Sequence, residues 1–257
     1  MSSIKWQKAT DPNGSNTREF HIESREHRTV TGALWLPEDP VQSDTLMLFG
    51  HGASGDRYQA PICHMAKRFV SEAEVPVLSL DGPVHGLRQV GPGGRSAFGK
   101  EYQRAECIDD MVTDWNVAIE ALTSLPELDI KHLAYFGLSM GSIFGIPLIA
   151  ARKDVTVATL GLIGVTGAAT THAERLLTDA GEIRCPLLFL MQLEDELFDR
   201  EGCLKVFDRF PSENKRLHAN PGLHPEIPAE EIGFAFDFLR SHIEGEVDHR
   251  IINPLAD

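Results

Sequence analysis

Residues 137–141 read Gly-Leu-Ser-Met-Gly, a G-x-S-x-G pattern whose flanks give it physical meaning. The run His132-Leu-Ala-Tyr-Phe-Gly137 suits a strand, and the stretch after Ser139 suits a helix to about Ala151. Glycines on both sides of a serine let strand and helix backbones approach closely through a tight turn, so the Ser139 Oγ projects into a cleft. The Met140 N–H, at the helix start, then faces any negative charge that develops beside the hydroxyl and is favoured there by the helix dipole. An alcohol is a weak nucleophile near neutral pH. Ser139 therefore needs a base within hydrogen-bond reach and a third group to fix that base's tautomer.

Among the later histidines, His224 lies in Asn220-Pro-Gly-Leu-His-Pro225, a turn after the last strand candidate and before the final helix, where it can swing over a cleft. His172 fits this role less well, His218 lies within a strand pattern, and His242 and His249 fall in a helix end and a polar tail. For the carboxylate, the apolar run Leu187-Leu-Phe-Leu-Met-Gln192 is followed by Leu193-Glu194-Asp195-Glu196. Chemistry alone accepts Glu194, Asp195 or Glu196, with Asp199 more distant. A further strand ends in Phe49-Gly50-His51-Gly52-Ala53, where glycines let the Ala53 N–H point into the cleft as a second donor to an oxyanion. His51 is expected to brace that loop by hydrogen bonding, and Ser54 to line the entrance.

These residues need a scaffold that brings several strand ends to one edge. Residues 19–24 and 30–37 read as a hairpin around the charged turn Arg25-Glu26-His27-Arg28, after a Pro/Gly/Asn/Ser loop at 11–16. Short apolar runs at 45–50, 75–80, 132–137, 156–163 and 186–191, and a further strand candidate at 215–218, alternate with helix patterns near 57–71, 100–125, 139–151, 201 and 229. Apolar strands alternating with helices predict a mostly parallel sheet of about eight strands with helices on both faces. Ligands of such sheets bind beyond the carboxyl ends of the strands, and each polar residue named above follows a strand candidate.

Composition narrows the function. The chain has 257 residues, 42% of them hydrophobic and 24% charged, ordinary globular usage that predicts one domain over 1–257, with a core at 17–246 and short polar tails. No stretch approaches the roughly 18 to 20 apolar residues of a spanning helix, and residues 1–16 lack the apolar run of a secretory signal. A cytoplasmic protein without membrane contact is expected. Cys63, Cys107, Cys185 and Cys203 form no C-x-x-C pair, so neither a zinc site nor a disulfide framework is indicated. A formal charge of −14 repels phosphate backbones and anionic lipid, which argues against a nucleic-acid partner. The same field favours neutral esters over acids or phosphates unless the cleft carries a local Arg or Lys.

Taken together, the segments around Ala53, Ser139, Asp195 and His224 resemble the α/β-hydrolase superfamily over nearly the whole chain, especially its dienelactone-hydrolase-like and small carboxylesterase branch. That family orders its residues as nucleophile, acid, histidine. The resemblance implies Asp195 as the acid, because an apolar residue, Phe198, follows it by three positions. It implies an α/β-hydrolase fold with at most a small cap, since only about residues 166–184 are available for one. Asp81-Gly-Pro-Val-His-Gly-Leu-Arg88 is similar to the family's turn after the fourth strand. There Asp81 and Arg88 either pair or are solvated, and His85 either faces the site's edge or does not. Residues 91–96, Gly-Pro-Gly-Gly-Arg-Ser, form either a second wall of the site or a plain surface loop. Dienelactone hydrolases use a cysteine where this chain has Ser139, so the resemblance points to a serine esterase. It implies cleavage of small or medium-chain carboxylic esters through an acyl-enzyme on Ser139, with no cofactor or metal and with a small-molecule ester as partner of a monomer or homodimer. A thioesterase, amidase or peptidase with the same triad, and a ligand-binding protein without turnover, are the alternatives.

Overall fold

The five apolar runs become neighbouring strands because each can bury both of its faces. In β4 (Thr45–Gly50), Leu46 and Leu48 point to one side of the sheet while Met47 and Phe49 point to the other. The same alternation places Phe189 of β8 (Leu187–Gln192) opposite Leu188 and Leu190. This is the period-2 geometry of a strand covered on both faces, with each fully buried large side chain contributing roughly 1.5–3 kcal/mol. The computed structural model describes residues 4–9, 16–23 and 28–247. Most of the loop expected at 11–16, the turn residues 25–27 and His249 lie outside the described residues.

The strands form a single nine-stranded sheet in the order β1-β2-β3-β5-β4-β6-β7-β8-β9. Three antiparallel strands, β1 (Ile4–Lys8), β2 (Asn16–Glu23) and β3 (Thr29–Leu36), lead into β5 (Val77–Leu80). From β5 onward the pairing is parallel, through β4, β6 (His132–Leu138), β7 (Val155–Gly161), β8 and β9 (Lys215–Asn220). The sheet therefore has one strand more than the sequence pattern indicates. The additional strand is β1, which lies in what the sequence pattern marks as a polar tail. It is an edge strand with four of its five residues exposed, so it lacks the apolar signal that marks the others.

Helices α1 (Ala60–Glu72) and α7 (Ala229–Glu244) cover one face through Ile62, Phe69, Phe236 and Leu239. Helices α3 (Cys107–Thr123), α4 (Met140–Ala151), α5 (Ala173–Ala180) and α6 (Arg200–Arg209) cover the other. The helix expected over 100–125 is two elements, α2 (Gly94–Glu101) and α3, separated by a turn. The region available for a cap holds a short 3-10 turn and α5, one helix as expected. Among the described residues no helix is long and apolar enough to cross a membrane.

Candidate active site

Ser139 sits at the junction of β6 and α4 with φ 57° and ψ −120°, in the left-handed region that a residue with a Cβ adopts at a cost of roughly 1–3 kcal/mol. The surrounding backbone holds it there. Its N–H donates to the Gly161 carbonyl at 2.9 Å, and its own carbonyl accepts from the N–H groups of Ser142 and Ile143 at 2.8 and 3.0 Å. The flanking glycines are required by space. A Cβ on Gly141 would lie 2.3 Å from the Gly50 carbonyl oxygen, and one on Gly137 would lie 2.8 Å from the Gly141 carbonyl carbon. Tyr135 adds a hydrogen bond from its hydroxyl to the Gly141 carbonyl at 2.6 Å. Ser142 Oγ accepts from the Gly161 N–H at 2.8 Å and donates to the Gly137 carbonyl at 2.7 Å, tying β6, α4 and β7 together behind the turn.

His224 Nε2 accepts from the Ser139 hydroxyl at 2.9 Å, and its Nδ1–H donates to Asp195 Oδ2 at 2.7 Å. Both the imidazole and the carboxylate are almost fully buried. Burial works against the charge of Asp195, but the hydrogen bond from His224 and those from the Leu197 and Phe198 N–H groups to Oδ1 outweigh it, holding the carboxyl below its usual range. The two neighbouring carboxylates have different partners. Glu194 Oε2 accepts from the Gly222 N–H at 2.6 Å and Glu196 Oε2 from the His224 N–H at 2.8 Å, so both grip the backbone of the histidine turn and neither meets the imidazole. Gln192, at the end of β8, donates to the Glu226 carbonyl at 2.8 Å and supports the same turn. His172 instead meets the Tyr102 carbonyl, His218 meets Glu231, and His242 meets the Phe238 carbonyl. Asp199 caps α6 through the Gly202 N–H at 2.7 Å.

Ala53 and Met140 line the same cavity as Ser139 and His224, a space of about 390 Å³ at the carboxyl ends of the parallel strands, and Ser54 lines it too. Met140 is the first residue of α4, where the N–H has no intrahelical acceptor. The peptide that carries the Ala53 N–H is fixed through its other end, because His51 Nδ1–H donates to the Gly52 carbonyl at 2.8 Å and a trans peptide directs N–H and C=O oppositely. His51 Nε2 accepts from the Gly82 N–H at 2.8 Å, so its tautomer is set by both neighbours. Burial, opposed by the Gly52 hydrogen bond, pushes the His51 pKa down to about 4. His85 lies between the Pro83 carbonyl, 2.7 Å from Nδ1, and the Ala53 carbonyl, 3.1 Å from Nε2, at the edge of this loop.

The pairing considered for Asp81 and Arg88 is not formed between their side chains. Asp81 is fully buried and takes the Arg57 guanidinium at 3.0 Å, and Arg57 also meets Glu19 at 3.1 Å. Burial opposes the charge on Arg57, and the two carboxylates outweigh that effect. Arg88 turns to Asp114 at 2.7 Å and reaches Asp81 through the backbone carbonyl alone. A buried carboxylate needs a buried cation, and Arg57, with only 4% exposure, meets that need where Arg88 at the loop's end does not. Sequence reading also missed Gln59, which accepts the Gly52 N–H at 2.8 Å and holds the Gly52–Ala53 loop from the start of α1. It missed Phe98 and Tyr102 as cavity wall; the glycine-rich run at 91–94 leading into α2 was the available signal.

A parallel sheet with a hydroxyl held at a strained strand-to-helix turn, and an imidazole and carboxylate in line with it from later strand ends, defines the α/β-hydrolase class. A cold-adapted esterase from an Arctic intertidal metagenomic library is 30% identical to the chain, with a TM-score of 0.80 over 94% of this chain and 99% of that one. An acetyl xylan esterase from Paenibacillus sp. R4 shares the fold at 13% identity, with a TM-score of 0.68 over 94% of this chain and 88% of its own. A Pyrococcus furiosus esterase does so at 16% identity, with a TM-score of 0.68 over 92% of this chain and 97% of its own. No family model matches the chain, and no curated protein matches it. By its likeness to the Arctic protein, the chain belongs to the esterases of the α/β-hydrolase superfamily.

Proposed function

We propose that this enzyme cleaves carboxylic esters through an acyl-enzyme on Ser139. The observation that carries the reading is the line Ser139–His224–Asp195, with hydrogen bonds of 2.9 and 2.7 Å, whose Ser139 and His224 line a cavity together with Ala53 and Met140. In this reading His224 Nε2 takes the Ser139 proton as Oγ bonds to the ester carbonyl carbon, and the carbonyl oxygen becomes an oxyanion. The Met140 and Ala53 N–H groups stabilise it, at positions fixed before substrate arrives. Collapse breaks the bond to the alkoxy oxygen, which leaves as alcohol with the proton from His224. Water, deprotonated by His224, then attacks the acyl carbon, and Ser139 regains its proton as the acid departs. Asp195 stabilises the imidazolium in both halves.

A cavity of about 390 Å³ is at the small end of ligand pockets and supports small or medium-chain esters. The test is hydrolysis of a p-nitrophenyl ester chain-length series by wild type and Ser139→Ala, with fluorophosphonate labelling in parallel. Wild type is expected to turn over the shorter esters and take the label, and Ser139→Ala to lose both. Labelling without ester turnover would redirect the reading to thioesters or amides, and absence of both would favour ligand binding without catalysis.

A further inference from the structure

The cavity above Ser139 has an uneven charge lining. Among the described residues no aspartate, glutamate or lysine lines it, and apart from His224 the one ionisable cation there is Arg95. Arg95 stands in the first turn of α2, on the helix face it shares with Phe98, Gly99 and Tyr102, three, four and seven positions on, all of which line the cavity. Arg95 is exposed, and among the described residues its guanidinium has no hydrogen bond or ion pair, so it is open to a ligand as well as to water. Arg57, Arg88 and Arg104, on nearby segments, are each held by a carboxylate. The first turn of a helix also disfavours a cation, so helix electrostatics do not account for its placement.

In a chain of formal charge −14, an exposed guanidinium on the wall of a cavity without acidic lining offers an anion a local positive charge that the molecule as a whole does not. Gln103 also lines the cavity, and the Thr171 hydroxyl donates to its amide oxygen at 3.2 Å, which leaves its NH₂ group as a further donor there. Gly99 leaves the lining open at its own position, since a Cβ there would meet nothing within 4 Å.

We propose that the ester taken by this site carries a carboxylate, which Arg95 binds at the cavity wall while the scissile carbonyl lies at Ser139. The proposal rests on the ester-hydrolase reading above and names the substrate class within it. A guanidinium is suited to the role because its planar fork can hold both carboxylate oxygens.

Two matched pairs of esters test it. 4-Nitrophenyl hydrogen adipate and 4-nitrophenyl hexanoate differ by a carboxylate at the acyl end, and 6-acetoxyhexanoate and hexyl acetate differ by one at the alcohol end. The ratio of kcat/KM for the anionic ester to that for its neutral partner is measured in wild type, Arg95→Gln, Arg95→Glu and Arg184→Gln. Arg184 is an exposed arginine before β8, at the sheet edge opposite the site, and its variant removes the same charge elsewhere. In at least one pair the ratio should fall about fivefold in Arg95→Gln, the scale of a partly exposed ion pair, and further in Arg95→Glu. It should stay at the wild-type value in Arg184→Gln, and added salt should shrink the wild-type preference. Hydrolysis of the neutral esters with ratios unaffected by Arg95 in both pairs overturns the proposal alone. Failure to hydrolyse any of the esters overturns the ester reading and the proposal with it.

Discussion

Glu194, Asp195 and Glu196 are chemically close, adjacent in sequence, and given different partners by the backbone that carries them. Asp195 meets the imidazole of His224, while the other two accept N–H groups from the turn that holds it. If Asp195 orients and stabilises the imidazolium, Asp195→Asn presents the wrong hydrogen-bonding group and lowers kcat by about 10³- to 10⁴-fold. Glu196→Gln keeps an oxygen acceptor for the His224 N–H and is expected to cost less than about tenfold, the scale of one weakened positioning contact. Single-turnover kinetics on a p-nitrophenyl ester separate the two, and equal losses would refute the division of roles. Ser139, His224, Ala53 and Met140 were legible in the sequence because each follows a strand run at a glycine-marked turn. The partners of the three carboxylates were not, because a shift of one residue along a loop changes which way a side chain points without changing any letter nearby. Arg57 was missed for a related reason. Its carboxylate partners, Glu19 and Asp81, come from distant segments that meet only once the sheet is assembled.

The elements that present these residues are coupled where two loops share one side chain. His51 follows β4, yet its Nε2 accepts from Gly82, which follows β5, and its Nδ1–H holds the peptide of Ala53. Protonating Nε2 would set a donor against the Gly82 N–H. The folded protein resists this, with a pKa of about 4 against 6.5 for a free imidazole. The unfolded chain takes up that proton as pH falls below about 6.5 while the folded one does not, so stability is full above that value and declines toward pH 4. The decline from this group is up to about 3 kcal/mol. Chemical denaturation at pH 7 and pH 4.5 should show it, and His51→Gln, uncharged at both, should be less stable at pH 7 yet flatter between the two pH values. An unchanged pH slope in the variant would rule out His51 as its source. Most elements were legible because their apolar periods were strong. β1 was not, because an edge strand with one face in water carries little such signal, and the break between α2 and α3 was masked by spaced apolar residues on both sides.

Across the whole molecule, the groups in line at the site are rooted at unequal depths. Ser139 springs from β6, between β4 and β7 near the middle of the sheet, and Asp195 from β8, but His224 hangs on the loop after β9, the outermost strand on its side. β9 has no fully buried residue, whereas β8 is buried along its whole length. Peripheral segments with few buried contacts open at lower free energy than the centre of a sheet. Heat inactivation should therefore run ahead of melting, with turnover fading several degrees below the temperature at which the tryptophan and far-UV signals change, and returning on cooling if the central strands have stayed together. Coincident curves would mean that the rim and the centre open as one. The temperature at which this enzyme stops working would then be set by the hold of one outer strand and its turn rather than by the strength of its core.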